Sequence, residues 1–178
     1  MLIRPQRDED TAAVRAVTAR AFAAEPFVAD LVEALAAGPA RLSLVAEADD
    51  GAIVGHTTLS RGWIDAAQRL VEAWVLSPLS VDPPVQRQGI GGALVRAALA
   101  AAGELEVPAV FLEGSPDYYP RFGFEAGTTR GFARPSVRIP QCAFQVVVLP
   151  AWEPWMTGAL VYPDAFWLMD AVGLRDTG

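Results

Sequence analysis

The chain has 178 residues, 52% of them hydrophobic, and a formal net charge of -7. That length supports one substantial core, so we expect a single domain over residues 1–178. The acidic charge argues against nucleic acid as a partner, and the single cysteine, Cys142, excludes an internal disulfide and a thiolate metal cluster.

The first part of the chain predicts a strand, two helices and a hairpin. We expect a strand at 2–4, a helix at 14–22, a helix from 27 to a stop at Gly38-Pro39, and strands at 42–48 and 53–61. In both helices the apolar residues recur every three or four positions. The two later strands flank a short turn that contains glycine, which is typical of a hairpin.

The middle of the chain predicts a βαβ crossover unit. An extended run at 71–81 enters a glycine-rich turn, a helix follows over 89–102 with Gly103 closing it, and an apolar strand occupies 109–112. Such a unit places its two strands parallel. Pro78 interrupts the first strand and cannot donate to a neighbour, so we expect the sheet to bulge or splay there.

The last part of the chain predicts one more strand and an aromatic-rich closing segment. The strand is expected at 144–149, after an irregular connection at 127–140. Trp152, Trp155 and Trp167 follow it. Large aromatic residues near a chain end usually anchor that end, so we expect them to close the core, with an acceptor pocket or a dimer contact as alternatives.

Three glycines, Gly89, Gly91 and Gly92, lie where the crossover helix begins. The first N–H groups of a helix lack intrahelical partners and carry a partial positive charge, so glycine there lets an anion approach closely. The turn therefore suits a phosphate group. A dinucleotide fingerprint would need glycine in place of Leu94, and a Walker-type loop would need lysine, whereas all fourteen basic residues are arginine.

Two motifs resemble those of the GNAT superfamily of acetyltransferases. Gln86-Arg87-Gln88-Gly89-Ile90-Gly91 resembles the Q/R-x-x-G-x-G/A motif with which that family grips the pyrophosphate of coenzyme A. Tyr118-Tyr119-Pro120-Arg121-Phe122-Gly123-Phe124 places Tyr119 four residues before a Gly-Phe pair, as in many members. The order of elements agrees over about residues 1–150, and a bacterial subgroup with the Tyr-Tyr-x-Arg-Phe-Gly-Phe element is the nearest resemblance.

The resemblance implies an α/β fold with a mixed twisted sheet, splayed between its fourth and fifth strands and with helices on both faces. Residues 1–150 would form the core, and 144–178 the last strand and the closing segment. The resemblance also implies acetyl-CoA as a cosubstrate and no metal.

The resemblance further implies that the pantetheine arm pairs with the backbone at 79–81, where an N–H near Leu79 faces the thioester oxygen. Such a donor is worth on the order of 3 to 4 kcal/mol in other acyl-transfer sites. The residues expected to bind the cofactor are Leu79, Ser80, Val81, Gln86, Arg87, Gln88, Gly89, Ile90, Gly91, Gly92, Ala93, Ser115, Tyr118 and Tyr119.

The expected catalytic residues are Tyr119, Glu72 and Leu79. Tyr119 would protonate the departing thiolate, because a phenol titrates near 10 and a thiol near 8.5, which makes the transfer uphill by only ~2 kcal/mol. Tyr118 is the rival donor, and a packed core position is the alternative role for Tyr119.

The proton acceptor has three candidates. Glu72 and Glu113 lie at strand ends, where each could reach a cleft or could simply be a solvated charge. His56, the only histidine, titrates in a suitable range but could equally be a packed residue.

We therefore expect an acetyl-CoA-dependent N-acetyltransferase that acts on a primary amine by direct attack in a ternary complex. A cationic small-molecule amine suits the acidic chain, while a protein acceptor and a homodimer are left open. A coenzyme A sensing module without turnover is the alternative function. Without an apolar run of eighteen residues or an apolar N-terminal segment, the protein is expected to be cytoplasmic and not bound to a membrane.

Overall fold

Eight strands and four α-helices occur in residues 1–173, the part of the chain that the computed structural model describes. The strands are β1 (Leu2–Pro5), β2 (Ala40–Glu47), β3 (Ile53–Ala66), β4 (Leu70–Val81), β5 (Ala109–Glu113), β6 (Glu125–Ala126), β7 (Phe144–Val148) and β8 (Gly158–Val161). The helices are α1 (Thr11–Ala21), α2 (Phe27–Ala36), α3 (Ile90–Glu104) and α4 (Asp164–Leu168). One mixed sheet holds the strands in the order β1-β2-β3-β4-β5-β7-β6, and β8 pairs with β3.

The residues group into two compact units. The first unit consists of Met1–Ser60 and Leu76–Ala101, and the second consists of Arg61–Val75 and, among the described residues, 102–173. The prediction of a single domain stays a prediction.

The first unit has an antiparallel set of strands and a core of branched aliphatic residues. β2 pairs antiparallel with both β1 and β3. Val14 and Val17 of α1 pack with Val32 of α2, Val45 of β2 and Ile53 of β3. The apolar spacing that predicted the two helices therefore marks the side of each helix that is buried.

A nearly buried ion pair fixes the start of α1. The Arg4 guanidinium donates to Asp10 Oδ2 at 2.7 Å and to Oδ1 at 2.9 Å, and the main-chain N–H of Arg7 also donates to Oδ2, at 2.7 Å. These donors favour the charged carboxylate and hold the pKa of Asp10 at about 2.

The second unit has an aromatic core around β5 and β7. These strands are antiparallel, with Phe111 opposite Val146 and Glu113 opposite Phe144. The Phe111 ring stacks on Phe144 at 5.7 Å and meets Phe132 edge-on at 4.9 Å. Offset and edge-on ring pairs are favourable, so one continuous aromatic cluster covers this face of β5.

The predicted parallel crossover is present. β4 and β5 pair parallel with Trp74 opposite Val110 and Val75 opposite Phe111, and β4 continues to Val81. The Ser77–Pro78 peptide bond in that continuation is cis. The expected bulge or splay of the sheet at Pro78 stays a prediction.

The prediction that Gly103 closes the crossover helix is wrong. α3 runs to Glu104, and the left-handed residue is Glu106, with φ 55°. The N–H groups of Glu106 and Val107 donate to the carbonyls of Gly103 and Ala102 at 3.1 and 3.0 Å. Main-chain hydrogen bonds, and not a glycine, therefore end this helix.

The sequence did not predict β6, β8 or the last part of β3. β3 continues to Ala66, and Trp63 lies opposite Val161 of β8. The short strands have too few residues to show an alternation of apolar and polar side chains. They form because the edge of a longer strand offers main-chain groups to pair with. No helix in residues 1–173 is long and apolar enough to cross a bilayer.

Candidate functional site

The glycine turn before α3 presents a row of main-chain N–H donors. Within residues 1–173, no acceptor contacts the N–H groups of 87–92, whereas that of Ala93 donates to the Gly89 carbonyl at 3.0 Å. Arg87 and Gly89 are left-handed, with φ 62° and 89°. Consecutive N–H groups in such a backbone form a concavity that binds anions, and a helix N-terminus adds a favourable dipole.

Gln86, which comes just before this row of donors, has hydrogen-bond partners. Its main-chain N–H donates to the Pro83 carbonyl at 3.3 Å, and its side-chain amide donates to the Val81 carbonyl at 3.1 Å. Gln86 therefore supplies no free main-chain donor to this turn. The side chain instead joins the end of β4 to the turn, so that the free donors begin at Arg87.

Contacts from distant parts of the first unit hold this turn. Arg20 at the end of α1 donates twice to Asp82, at 2.8 and 2.7 Å, and lowers the pKa of that carboxyl. The N–H of Asp82 donates to the Val54 carbonyl at 2.9 Å. Gly55 lies so close to α3 that a Cβ atom would stand 3.1 Å from Ile90. A glycine on β3 thus allows the first turn of α3 to pack directly on the sheet.

Tyr119 of the second unit is largely buried and has an unpaired hydroxyl. Its ring meets Tyr118 edge-on at 5.0 Å and Phe124 at 5.7 Å, and no hydrogen-bond partner for the hydroxyl occurs in the described chain. Burial, with a smaller effect of Tyr118, raises the pKa of Tyr119 to about 12. Proton transfer to a thiolate is then uphill by about 5 kcal/mol, not the smaller value expected from model compounds.

The backbone before Tyr119 is built to receive its ring. A Cβ atom at Gly114 would overlap the Tyr119 ring, so glycine is required for this packing. The buried side-chain amide of Gln145 donates to the carbonyls of Gly114 and Ser115 at 3.1 and 3.3 Å. Ser115 also accepts the N–H of Tyr118 at 3.2 Å. These contacts give Tyr119 a fixed place after β5.

Comparisons with known proteins agree with this geometry. A family model described as acetyltransferase (GNAT) domain matches residues 39–126. The uncharacterized N-acetyltransferase YhbS of Escherichia coli strain K12 is 34% identical over 70% of this chain and 74% of its own length. This chain belongs to the GNAT family. A second relative from that strain, the uncharacterized N-acetyltransferase YjhQ, is 36% identical, and the match spans 65% of either protein.

Two solved structures of GNAT proteins are similar to this chain over most of its length. YhbS from Escherichia coli in complex with CoA has a TM-score of 0.83, with 29% identity over 93% of this chain and 91% of that one. A GNAT acetyltransferase from Brucella melitensis in complex with acetyl-CoA has a TM-score of 0.75, with 34% identity over 93% and 97%. The predicted family and mixed α/β fold are confirmed, and both ligands agree with the predicted cosubstrate.

In this GNAT chain, hydrogen bonds hold the strand segment that is expected to pair with the pantetheine arm. Leu79 is half-buried, and Ser80 is buried with its hydroxyl donating to Thr18 Oγ1 at 3.2 Å. Thr57 Oγ1 donates to the Pro78 carbonyl at 3.0 Å. The roles of residues 79–81, and of the other expected cofactor residues, stay predictions.

His56 is a packed residue of the first unit. It is fully buried, its Nε2 lies 2.8 Å from Ser43 Oγ and 3.3 Å from Thr58 Oγ1, and its Nδ1 has no partner in the described chain. Burial lowers the pKa of His56 to about 4, so the ring is neutral at pH 7. A side chain without exposed surface cannot contact an acceptor, which favours the packed interpretation of His56.

The two candidate carboxylates of the second unit differ in their surroundings. Glu72 is half-buried and accepts the indole N–H of Trp74 at 3.2 Å. Glu113 ends β5, and burial raises the pKa of its carboxyl. In residues 1–173 no group of three or more His, Cys, Asp or Glu side chains is placed to hold a metal.

The C-terminal tryptophans do not act as one group. The Trp152 indole donates to the Met156 carbonyl at 3.2 Å, and the Arg69 guanidinium lies 5.2 Å from the Trp155 ring centre. Trp167 is 41% exposed. The expectation that these residues close the core is therefore wrong for Trp167.

Proposed function

We propose that this GNAT protein is an acetyl-CoA-dependent N-acetyltransferase that acetylates the primary amine of a small acceptor by direct attack in a ternary complex. The observation that carries the proposal is the row of unpaired N–H groups at residues 87–92. Six adjacent main-chain donors at a helix start suit a diphosphate, and no group of residues 1–173 accepts a hydrogen bond from them. The acetyl-CoA complex of the Brucella melitensis relative supports the same ligand.

The proposed chemistry divides between backbone and side chain. The N–H near Leu79 stabilises the oxyanion that forms when the amine attacks the thioester carbonyl carbon. Tyr119 then donates its proton to the coenzyme A thiolate as the C–S bond breaks. Its high pKa keeps the phenol protonated at every pH at which the enzyme would work, so Tyr119 acts as a donor and not as a base.

The charge of the chain favours a cationic acceptor. A net charge of -7 attracts ammonium groups and repels anionic acceptors at low ionic strength. A small-molecule amine is the acceptor that we propose, and a lysine side chain of a protein is the second arm of the test. A cytoplasmic location stays a prediction, and a homodimer stays an open alternative.

A binding titration and an activity assay together test the proposal. Acetyl-CoA should raise the melting temperature in a concentration-dependent way, and ATP and NAD should not. The chain should also release thiol from acetyl-CoA with at least one amine of a panel of polyamines, amino sugars and lysine peptides. Binding without turnover across the panel would instead indicate a coenzyme A sensor, and stabilisation by ATP or NAD alone would contradict the family function.

A further inference from the structure

A buried hydroxyl on β3 holds a main-chain carbonyl of β4, its neighbour in the sheet. The Thr57 hydroxyl donates to the Pro78 carbonyl oxygen at 3.0 Å. Both residues are buried, and Thr57 has no exposed surface. Water therefore does not compete for this hydrogen bond, and the low local dielectric strengthens it. Because the branched side chain of threonine has few rotamers, the hydroxyl also has a well-defined direction.

The carbonyl that Thr57 holds belongs to the same peptide group as the Leu79 N–H. The Pro78–Leu79 peptide bond is trans. A trans peptide group is planar, and its C=O and N–H point in opposite directions. Because the Pro78 carbonyl accepts a hydrogen bond from β3, the Leu79 N–H is directed away from β3.

The end of β4 shows the same alternation through other hydrogen bonds. The Asp82 N–H donates to the Val54 carbonyl of β3 at 2.9 Å. The Val81 carbonyl, at the opposite side of that peptide group, accepts from the side-chain amide of Gln86 at 3.1 Å. Successive residues of a strand direct their main-chain groups to alternate sides. Val81, and Leu79 two residues before it, therefore direct these groups away from β3.

Pro78 is also the residue at which the backbone of β4 contributes least to strand pairing. Opposite residues at a hydrogen-bonded position of an antiparallel pair exchange two hydrogen bonds, and proline has no N–H to donate. The Thr57 hydroxyl adds a donor at this residue. It therefore restrains a peptide group that the main chain alone holds less firmly.

We propose that Thr57 is a positioning residue, whose hydroxyl fixes the direction of the Leu79 N–H and strengthens it as a donor to the thioester oxygen. This inference rests on the function proposed above, which assigns an N–H near Leu79 to the oxyanion. A hydrogen bond accepted by a peptide carbonyl polarises the whole peptide group, so the N–H at its other end becomes a stronger donor. Thr57 acts through the peptide group and does not touch the substrate.

The test removes the Thr57 hydroxyl and keeps the shape of the side chain. Thr57→Val does so, and Thr57→Ser restores the hydroxyl. Thr58→Val is the matched control, because Thr58 is the next residue of β3, is 2% exposed, and has its hydroxyl 3.3 Å from His56 Nε2. All three variants should bind coenzyme A, which has no acetyl group, as the wild type does.

The expected loss follows from the strength of the donor. An oxyanion donor is worth about 100- to 1000-fold in kcat, and a hydrogen bond in line with it adds about 10 to 30% to its strength. Thr57→Val should therefore lower kcat for an amine about 2- to 8-fold. Thr57→Ser and Thr58→Val should keep the wild-type kcat.

The infrared band of the bound thioester carbonyl gives a readout that a purely structural role would not move. A hydrogen bond to the carbonyl oxygen lowers the stretching frequency of that bond. Acetyl-CoA labelled with ¹³C at the acetyl carbonyl, bound without an amine, should therefore absorb at a higher frequency in Thr57→Val than in the wild type. Thr57→Ser and Thr58→Val should keep the wild-type band.

The outcomes separate this inference from the function on which it rests. A wild-type chain that binds no acetyl-CoA would refute both. A chain that binds acetyl-CoA but acetylates no amine would refute the enzymatic function, and the carbonyl band would still decide the role of Thr57. A wild-type band in Thr57→Val, or an equal shift in Thr58→Val, would overturn the inference alone. Should Thr57→Val fail to fold, Thr57→Cys decides, because a thiol is a weak donor: a raised frequency supports the role, and a wild-type frequency excludes it.

Discussion

The glycine turn of the first unit and the tyrosine segment of the second unit offer different kinds of group, main-chain donors in one and a side chain in the other. The turn offers main-chain N–H groups at 87–92, whose direction depends on the φ angles of Arg87 and Gly89. The tyrosine segment offers one side chain, Tyr119, whose properties depend on what buries it. A backbone site tolerates exchange of its side chains but not of its conformation, whereas a side-chain site depends on a single functional group and the packing around it.

The largest effect is expected from Tyr119→Phe. Removing the hydroxyl removes the proton donor, so kcat should fall by about 100-fold, within the usual range for general acid catalysis. The Kd for acetyl-CoA should stay unchanged. Steady-state kinetics on an amine substrate would measure both. Tyr118→Phe is the matched control, and a larger loss in that variant would transfer the role to Tyr118.

A large effect on stability is expected from His56 in the first unit. Its pKa is about 4 in the folded protein and near 6.5 when unfolded, so between these values only the unfolded chain binds the proton. The contribution of neutral His56 to the free energy of unfolding should therefore be fully present above pH 6.5. The free energy of unfolding should fall by roughly 3 kcal/mol as the pH drops from 6.5 to 4. Urea titrations over this range measure it, with His56→Gln as the control. The same slope in that variant would show that another group titrates.

Below pH 4 the same titrations should show a second loss, from Asp10. The pKa of its carboxyl is about 2 in the folded protein against 3.8 ordinarily, so its stabilising effect is complete above pH 3.8 and disappears as the pH falls to 2. Asp10→Asn should flatten that part of the curve. An unaltered acid limb in this variant would argue that the ion pair with Arg4 adds nothing to the free energy of unfolding.

A smaller effect is expected from Gly114→Ala, which perturbs Tyr119 without removing it. The added Cβ would overlap the Tyr119 ring, and the ring could avoid it only by moving out of its packed position. A displacement of about 1 Å should lower kcat by roughly tenfold. Gly38→Ala, at a position with no atom within 4 Å of the new Cβ, is the control. Equal activity of both variants would contradict the packing role of Gly114.

The smallest effect is expected from Gly89→Ala in the glycine turn. Nothing lies within 4 Å of the new Cβ, so only the φ of 89° opposes the substitution. That strain is worth ~1 kcal/mol, which should raise the Kd for acetyl-CoA about fivefold. Gly103→Ala is the control, because its new Cβ also has no atom within 4 Å and Gly103 does not have a positive φ. This variant should leave the Kd unchanged and stabilise α3 by about 0.5 to 1 kcal/mol. Calorimetric titration with acetyl-CoA distinguishes the two variants.

Helices and strands with one buried face are the elements that the pattern of apolar residues predicts. α1, α2, β4 and β5 were predicted close to their observed positions, because their apolar periodicity reflects one buried face. β6 and β8 were missed, since they are too short to have a period and depend on a neighbouring strand edge. The helix end at Glu106 was missed because a non-glycine residue in the left-handed region gives no compositional signal.

The candidate site divides in the same way. The turn of unpaired main-chain donors before α3 was predictable, because the first N–H groups of a helix lack partners for a reason that is local to a few residues. The Gln145 amide that supports the backbone of Gly114 was not, because these two residues meet only after β5 and β7 pair.

Two short motifs of the sequence were enough to indicate the GNAT fold by resemblance, and they also predict a phosphate-binding turn and a tyrosine proton donor. Burial and long-range neighbours were needed to make His56 neutral, to raise the pKa of Tyr119 to about 12, and to bring Gly173 to Glu113. The physical reason is that a φ angle or a helix start depends on adjacent residues, whereas the solvation of an ionisable group depends on side chains far away in the chain.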